Sequence, residues 1–265
     1  MAVSLSLLTA YRGRREYLDI QLAWLQRIRE EEAFTDFEVV LVEGDLAPTV
    51  SHLPNERGLD WVRYVFVPMG HVFHKAGLLN EAILHARGAW IMPFDVDLLP
   101  APQVLARHLQ LAQNASLTLM CGYRVQLPEM FPTDLSLPAA QTVLHAFNSR
   151  DPDLLCPEDN HTALAKYLVG GERFGVCPCF ETRRLKAVGG HDEVYAGWGA
   201  EDQDLIERVC ASGRTLVRAY DLLYFHLPHG KEPGWGDAAL TEANRKHFKA
   251  SRSRARNPQK TVLSH

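Results

Sequence analysis

Ala89-Trp90-Ile91-Met92-Pro93-Phe94-Asp95-Val96-Asp97-Leu98-Leu99-Pro100 is the stretch whose reading decides the fold. An unbroken apolar run from Ala89 to Phe94 meets two carboxylates. Continuous apolar strands occur where both faces of a sheet are covered. Alternate side chains of a strand share a face, so Asp95 and Asp97 are expected to converge. Ligands of open α/β sheets bind beyond the carboxyl ends of the strands. Hard oxygen ligands there suit Mn2+ or Mg2+ bound to a diphosphate. Asp-x-Asp by itself also describes solvated loop aspartates or a helix cap. Its position after a buried strand and before Leu98-Leu99-Pro100 favours the site.

Upstream, strand and helix signals alternate. Val3 to Thr9 reads as a strand, and Glu16 to Glu32 as an amphipathic helix with Leu18, Leu22, Leu25 and Ile28 in register. Phe37 to Val42 and Trp61 to Val67 read as strands, and Lys75 to Arg87 as a helix with Gly88 placed as its stop. This repetition predicts an α/β fold with a mostly parallel central sheet flanked by helices. Thr9, Ala10, Tyr11, Glu43 and Asp95 would all fall at strand carboxyl ends.

Downstream, a helix is expected at Gln103–Asn114 and a strand at Leu117–Cys121. Residues 127–160 are irregular and Pro-rich, with Pro128, Pro132, Pro138, Pro152 and Pro157, and read as a lid or acceptor-side insertion. The end of the chain, 246–265, carries Lys246, Lys249, Arg252, Arg254, Arg256 and Lys260 without an apolar period, and reads as a frayed or loosely docked basic tail. The organisation expected is one domain over 1–245 followed by that tail.

A second motif is Tyr195-Ala196-Gly197-Trp198-Gly199-Ala200-Glu201-Asp202-Gln203-Asp204. Two glycines let the backbone bend sharply around a tryptophan, and Leu205, Ile206, Val209 and Cys210 continue as a helix toward Gly213. Glu201 and Asp202 thus stand at a helix N-terminus, which favours the ionised carboxylate that a general base needs. An aromatic surface beside carboxylates also suits a sugar ring; the alternative is an acidic cap beside a core tryptophan. A third feature, His226-Leu227-Pro228-His229, follows the apolar run Leu222–Phe225. These histidines read either as surface residues or as partners of Asp97 around a divalent ion.

Composition sets the frame: 265 residues, 46% hydrophobic and 23% charged, with a formal net charge of -4. That balance leaves no basic footprint for a nucleic-acid partner. The opening apolar run is too short for a signal core or a membrane span. Five cysteines do not make an extracellular disulfide framework. A cytoplasmic location follows as the expectation. Cys177-Pro178-Cys179 lacks the second pair a zinc site needs and reads as buried thiols in a strand.

Phe73-His74-Lys75-Ala76-Gly77-Leu78-Leu79-Asn80 and Phe94–Pro100 resemble the F-N-R-A-K-L-L-N and F-x-D-V-D-L-I-P segments of the beta-1,4-galactosyltransferases and their bacterial chondroitin-polymerase-like relatives. Phe174-Gly175, Gly189-Gly190 and Gly197–Asp204 resemble the F-G-G, N-G-F and W-G-W-G-G-E-D-D-D stretches of that family, in the same order. The resemblance spans residues 1 to 230. It implies a GT-A fold, a nucleotide-binding half at 1–100, an acceptor half at 101–245, and inverting transfer from a UDP-sugar with Mn2+.

By the same resemblance Asp97 would bind the metal, with Asp95 beside it near the donor. Asp202 would deprotonate the acceptor hydroxyl, Glu201 would hold the acceptor, and Trp198 with Gly199 would form the platform at the sugar. His229 would ligate the metal, and His226 stands where the vertebrate enzymes carry methionine, a change that broadens metal preference toward Mg2+. Phe73, Lys75 and Val96 would lie near the uridine and diphosphate. Thr9, Ala10, Tyr11 and Glu43 stand where this fold holds uracil and ribose, though each reads equally as a loop residue. Arg14 reads as a phosphate contact or, more simply, as a surface residue.

The sequence departs from the family at Lys75 (arginine there), Arg173, His191-Asp192 (Phe-Pro there) and Ala200 (glycine there). The acceptor is expected to be a saccharide or glycolipid, and the basic tail offers a peripheral contact with the inner membrane face. Two other readings stay open: a nucleotide-sugar-binding protein without catalysis, and a sugar nucleotidyltransferase, which usually carries a Gly-rich loop that Thr9–Arg15 does not provide.

Overall fold

The computed structural model describes residues 3–115, 117–127, 175–229 and 237–256. Of the features read from sequence, residues 128–160 of the Pro-rich insertion, Arg173, Phe174 and residues 257–265 lie outside them.

The described chain runs β1 (Leu5–Tyr11), α1 (Arg15–Glu31), β2 (Phe37–Asp45), α2 (Leu53–Glu56), β3 (Val62–Pro68), α3 (Lys75–His85), β4 (Trp90–Pro93), β5 (Leu98–Pro100) and α4 (Val104–Asn114). It continues with β6 (Thr118–Gln126), β7 (Val176–Glu181), α5 (Thr182–Ala187), α6 (Glu201–Ala211), β8 (Thr215–His226) and α7 (Ala238–Arg256). The strands form an eight-stranded sheet in the order β3-β2-β1-β4-β7-β6-β8-β5. Strands β3, β2, β1 and β4 are mutually parallel, as the strand–helix alternation predicts. Beyond β4 the sheet is mixed: β7 is antiparallel to β4 and β6, β6 is parallel to β8, and β5 is antiparallel to β8.

Both faces of the sheet are covered. Leu5 and Leu7 of β1 and Phe37, Val39 and Leu41 of β2 pack in one core with Leu18, Leu22 and Leu25 of α1. Leu8, Val40 and Val42, pointing the other way, pack with Leu78, Leu79 and Ala82 of α3 and Leu205 and Ile206 of α6. That double burial is why these strands read as unbroken apolar runs.

Three local readings are corrected. Strands β1 and β2 run on to pair Tyr11 with Glu43, so these residues lie in the sheet and not in loops. Helix α3 ends at His85 with Ala86 extended, so Gly88 is not its stop. A Cβ at Gly88 would lie 2.6 Å from the Ser6 nitrogen, so glycine is needed there for close approach of two backbones. Of the two readings of the basic tail, the frayed one gives way to the docked one, for the chain is helical as far as Arg256. Phe248 and Asn244 are buried, His247 meets Asp192 at 2.8 Å, and Arg252 meets Glu207 at 3.3 Å. A helix docked largely through polar pairs carries little apolar period for a sequence reading to detect.

Candidate active site

Strand pairing builds the centre of the site. Leu98 of β5 lies opposite His226 of β8, and the Leu227 amide donates to the Asp97 carbonyl at 2.9 Å. The turn carrying Asp97 is thereby fixed beside the end of β8. Tyr17 donates to the Pro228 carbonyl at 2.8 Å and meets the His229 ring edge-on, with centroids 6.3 Å apart. His229 Nε2 is 3.3 Å from Asp97 Oδ2, and His226 Nε2 is 3.6 Å from Asp97 Oδ1. One ligand atom from each of Asp97, His226 and His229 lies within 4.8 Å of the others.

Asp97 is 5% exposed, and its Oδ1 makes no hydrogen bond among the described residues. Burial pushes its carboxyl up, but the His229 contact, His226 and Arg14 together hold it below the usual carboxylate range. Burial outweighs Asp97 at His226 and lowers that imidazole to about 4, so the ring is neutral at physiological pH. A carboxylate with an orphaned oxygen beside a neutral imidazole is a donor set that fits a divalent cation. Arg14 is buried and contacts Asp97 Oδ2 at 2.7 Å, so its surface reading is corrected. It occupies one carboxylate oxygen and leaves the other facing His226.

Asp95 does not join that group. Strand β4 stops at Pro93, and the Leu98 amide closes a turn on the Asp95 carbonyl at 3.0 Å, so strand alternation no longer governs the two aspartates. The Asp95 carboxylate instead meets Lys75 Nζ at 2.8 Å, and Lys75 reaches Glu201 Oε1 at 3.4 Å. Burial disfavours the ammonium, but Asp95, Glu201 and Asp202 overcome it and keep Lys75 charged well past its usual range. Burial also raises the Glu201 carboxyl, with Lys75 opposing. Lys75, Asp95 and Asp202 line one cavity of about 80 Å³, with Leu79, Arg124, Cys177, His191 and Leu205 also in its wall.

The Gly197 loop brings the second motif to this cavity. Gly197, Gly199 and Ala200 all have positive φ, at 69°, 112° and 71°, and Ala200 is the residue before α6. Glu201 is buried, Asp202 is exposed, and Trp198 is 61% exposed, the condition for stacking on a ligand from solvent. The Phe73–Asn80 segment holds this loop in place. His74 caps α3 through Gly77, Asn80 brackets the His191 peptide with hydrogen bonds of 2.8 and 2.9 Å, and the Gly197 amide donates to the Phe73 carbonyl at 3.1 Å. Asn244 on α7 donates to the Ala196 and Trp198 carbonyls at 2.9 and 3.1 Å.

Other expected donor contacts have structural partners. Thr9 is fully buried and donates to the Phe94 carbonyl at 3.0 Å. Glu43 accepts from the Thr49 and Val50 amides, from the Thr49 hydroxyl and from Tyr64 at 2.5 Å. Burial, then Glu43, pushes the Tyr11 phenol up to about 12. Ala10 packs on the second core and Val96 is buried in the first. Phe73 is largely buried, with the Arg12 guanidinium 5.5 Å over its ring. Cys177 and Cys179 are buried on β7. Sequence reasoning gave no role to Arg124 or Asn244, which stand outside every motif; His191 was noted only as a departure within one.

Residues 162–229 match the family model described as the N-terminal domain of galactosyltransferase. The chain is similar to S. aureus TarS 1-349 in complex with UDP-GlcNAc, at 13% identity and a TM-score of 0.60, over 97% of this chain and 73% of that one. It is also similar to a longer S. aureus TarS chain, at 14% identity and a TM-score of 0.58, over 99% of this chain and 44% of that one. The catalytic domain of Drosophila beta1,4galactosyltransferase 7, in complex with xylobiose, matches at 16% identity and a TM-score of 0.48, over 82% and 64% of the two chains. The chain has the GT-A glycosyltransferase fold. Among the described residues no helix is long and apolar enough to cross a membrane.

Proposed function

We propose, from this GT-A fold and the geometry at its strand ends, that the chain moves a sugar from a UDP-sugar to an acceptor hydroxyl with inversion. The observation that carries the reading is the meeting of Asp97, His226 and His229 within 4.8 Å. These three side chains would hold a divalent ion, Mn2+ or Mg2+, whose charge would offset that growing on the departing diphosphate. Lys75 supplies a second positive charge beside Asp95, where it can meet the donor phosphates or sugar.

Asp202 is exposed at the mouth of the cavity and takes the proton from the acceptor hydroxyl. That hydroxyl attacks the anomeric carbon from the face opposite the leaving group, which inverts the centre. Glu201, buried and tied to Lys75, orients the acceptor edge, and Trp198 provides the stacking surface. We assign the acceptor to the saccharide or glycolipid class, and a peripheral membrane contact to the exposed Arg245, Lys246 and Lys249 of α7. The test is acceptor-free hydrolysis across a panel of UDP-sugars. Slow turnover that requires Mn2+ and stops on chelation supports transfer, and its absence with every sugar nucleotide rejects it.

A further inference from the structure

Among the described residues two buried imidazoles, His108 and His191, lie outside the Asp97 cluster, and they differ in one respect. His108 has both ring nitrogens engaged, Nδ1 with the Tyr224 hydroxyl at 2.7 Å and Nε2 with the Met120 carbonyl at 3.1 Å. His191 is 3% exposed, and neither of its ring nitrogens has a hydrogen-bond partner among the described residues. Buried polar groups are almost always paired, because leaving one unmade costs on the order of 1–3 kcal/mol.

The ring cannot relieve this by a backbone shift. The His191 amide donates to Asn80 Oδ1 at 2.8 Å, its carbonyl accepts from Asn80 Nδ2 at 2.9 Å, and a Cβ at Gly190 would stand 2.6 Å from that same Asn80 oxygen. The peptide is clamped, and His191 is part of the wall of the cavity that Lys75, Asp95 and Asp202 also line. Phenylalanine, which stands there in the family this motif resembles, would fill the space without an unmet polar group.

We propose that His191 is a sugar-recognition residue, hydrogen-bonding a hydroxyl of the transferred sugar on the floor of the Lys75–Asp95–Asp202 cavity. The inference rests on the transfer reading above. Burial separates the two residues: Trp198 is 61% exposed and is not part of the cavity wall, whereas His191 is 3% exposed and is. Burial, then Lys75 and Arg208, lowers the imidazole to about 3; the Glu201 backbone, near the ring but outside hydrogen-bonding geometry, acts in the opposite direction. The ring is therefore neutral, with one donor and one acceptor, a match for a hydroxyl and a poor one for a carboxylate. The cavity of about 80 Å³ has room for several waters and so for the polar edge of a sugar ring, not for a whole nucleotide.

Calorimetry with Mn2+ present would compare UDP, UDP-glucose, UDP-galactose and the two N-acetylated counterparts on the wild type, His191→Phe and His191→Asn. The expected result is that His191→Phe binds UDP as the wild type does but binds the preferred sugar nucleotide about tenfold more weakly, with His191→Asn between them. In the wild type, the His191 imidazole resonances shift on adding that sugar nucleotide and not on adding UDP. Equal loss for UDP and sugar nucleotide, no loss for either, or unmoved imidazole resonances would overturn the assignment. Should His191→Phe fail to fold, His191→Asn and the wild-type resonances decide. Failure of the wild type to bind UDP at all would instead overturn the transfer reading, and this inference with it.

Discussion

His229 Nε2 lies 3.3 Å from Asp97 Oδ2, although the two residues sit on separate strand ends and no sequence motif contains both. The connection is the antiparallel register of β5 on β8, which sets Leu98 against His226 and carries Asp97 to the end of β8, beside both histidines. A three-residue strand thus makes the difference between scattered polar residues and a candidate cation site. Arg14, from the other end of the chain, meets the same Asp97 oxygen at 2.7 Å.

Asp202→Asn removes the proposed proton acceptor while leaving the Asp97 cluster untouched. Turnover should fall by roughly 100-fold or more, the usual contribution of a general base, with UDP affinity preserved. A steady-state assay with parallel UDP titration reads both quantities. Full activity in this variant would remove Asp202 from the mechanism.

Stability should fall as the solution is acidified, through His108. Burial lowers its pKa from 6.5 to about 4. Below pH 6.5 the unfolded chain therefore takes up a proton that the native chain refuses. The contribution is complete above pH 6.5 and is lost as pH drops toward 4. Between pH 6.5 and pH 5 this one group should cost on the order of 2 kcal/mol. Denaturant melts at several pH values should show a shallower dependence in His108→Gln, and an identical slope would contradict the assignment.

Asn244→Ala leaves the Ala196 and Trp198 carbonyls without their side-chain donor. A loss on the order of 1–3 kcal/mol is expected, read as a lower thermal midpoint, while UDP binding stays intact. Abolished UDP affinity would show that α7 supports the donor side as well.

Gly88→Ala tests the close approach of two backbones. The new methyl would meet the Ser6 nitrogen at 2.6 Å and the Leu5 carbonyl carbon at 2.8 Å, neither of which can swing aside. Overpacking of this kind costs about 1–3 kcal/mol. An unchanged melting point would show that β1 yields there without cost.

The half of the sheet that is parallel and covered on both faces was legible because its strands are apolar throughout and its helices keep a 3.6-residue period. Leu5, Leu7, Val39 and Leu41 report it directly. The mixed half was harder to read, since antiparallel β5 is three residues long and carries no pattern of its own. Asp97, His226 and His229 were found by residue type and resemblance, yet their meeting is a matter of register. Asp95 was misplaced beside them because strand alternation was extended past Pro93 into a turn. The partners of Glu43 and Thr9 in the fold, Tyr64, Thr49 and Phe94, were not legible because they are distant in sequence or unremarkable. Helix α7 escaped notice because Asn244, His247 and Arg252 dock it through polar contacts that no hydrophobic pattern marks.

The cation site is the claim most directly open to measurement, by titrating UDP into the wild type, His226→Ala and His229→Ala with Mn2+ present and then with chelator. The wild type should bind UDP only with the metal. Each variant should lose more than the roughly 10–100-fold that outer-shell changes cost at a metal site. UDP affinity that ignores both the chelator and the loss of either imidazole would contradict the account.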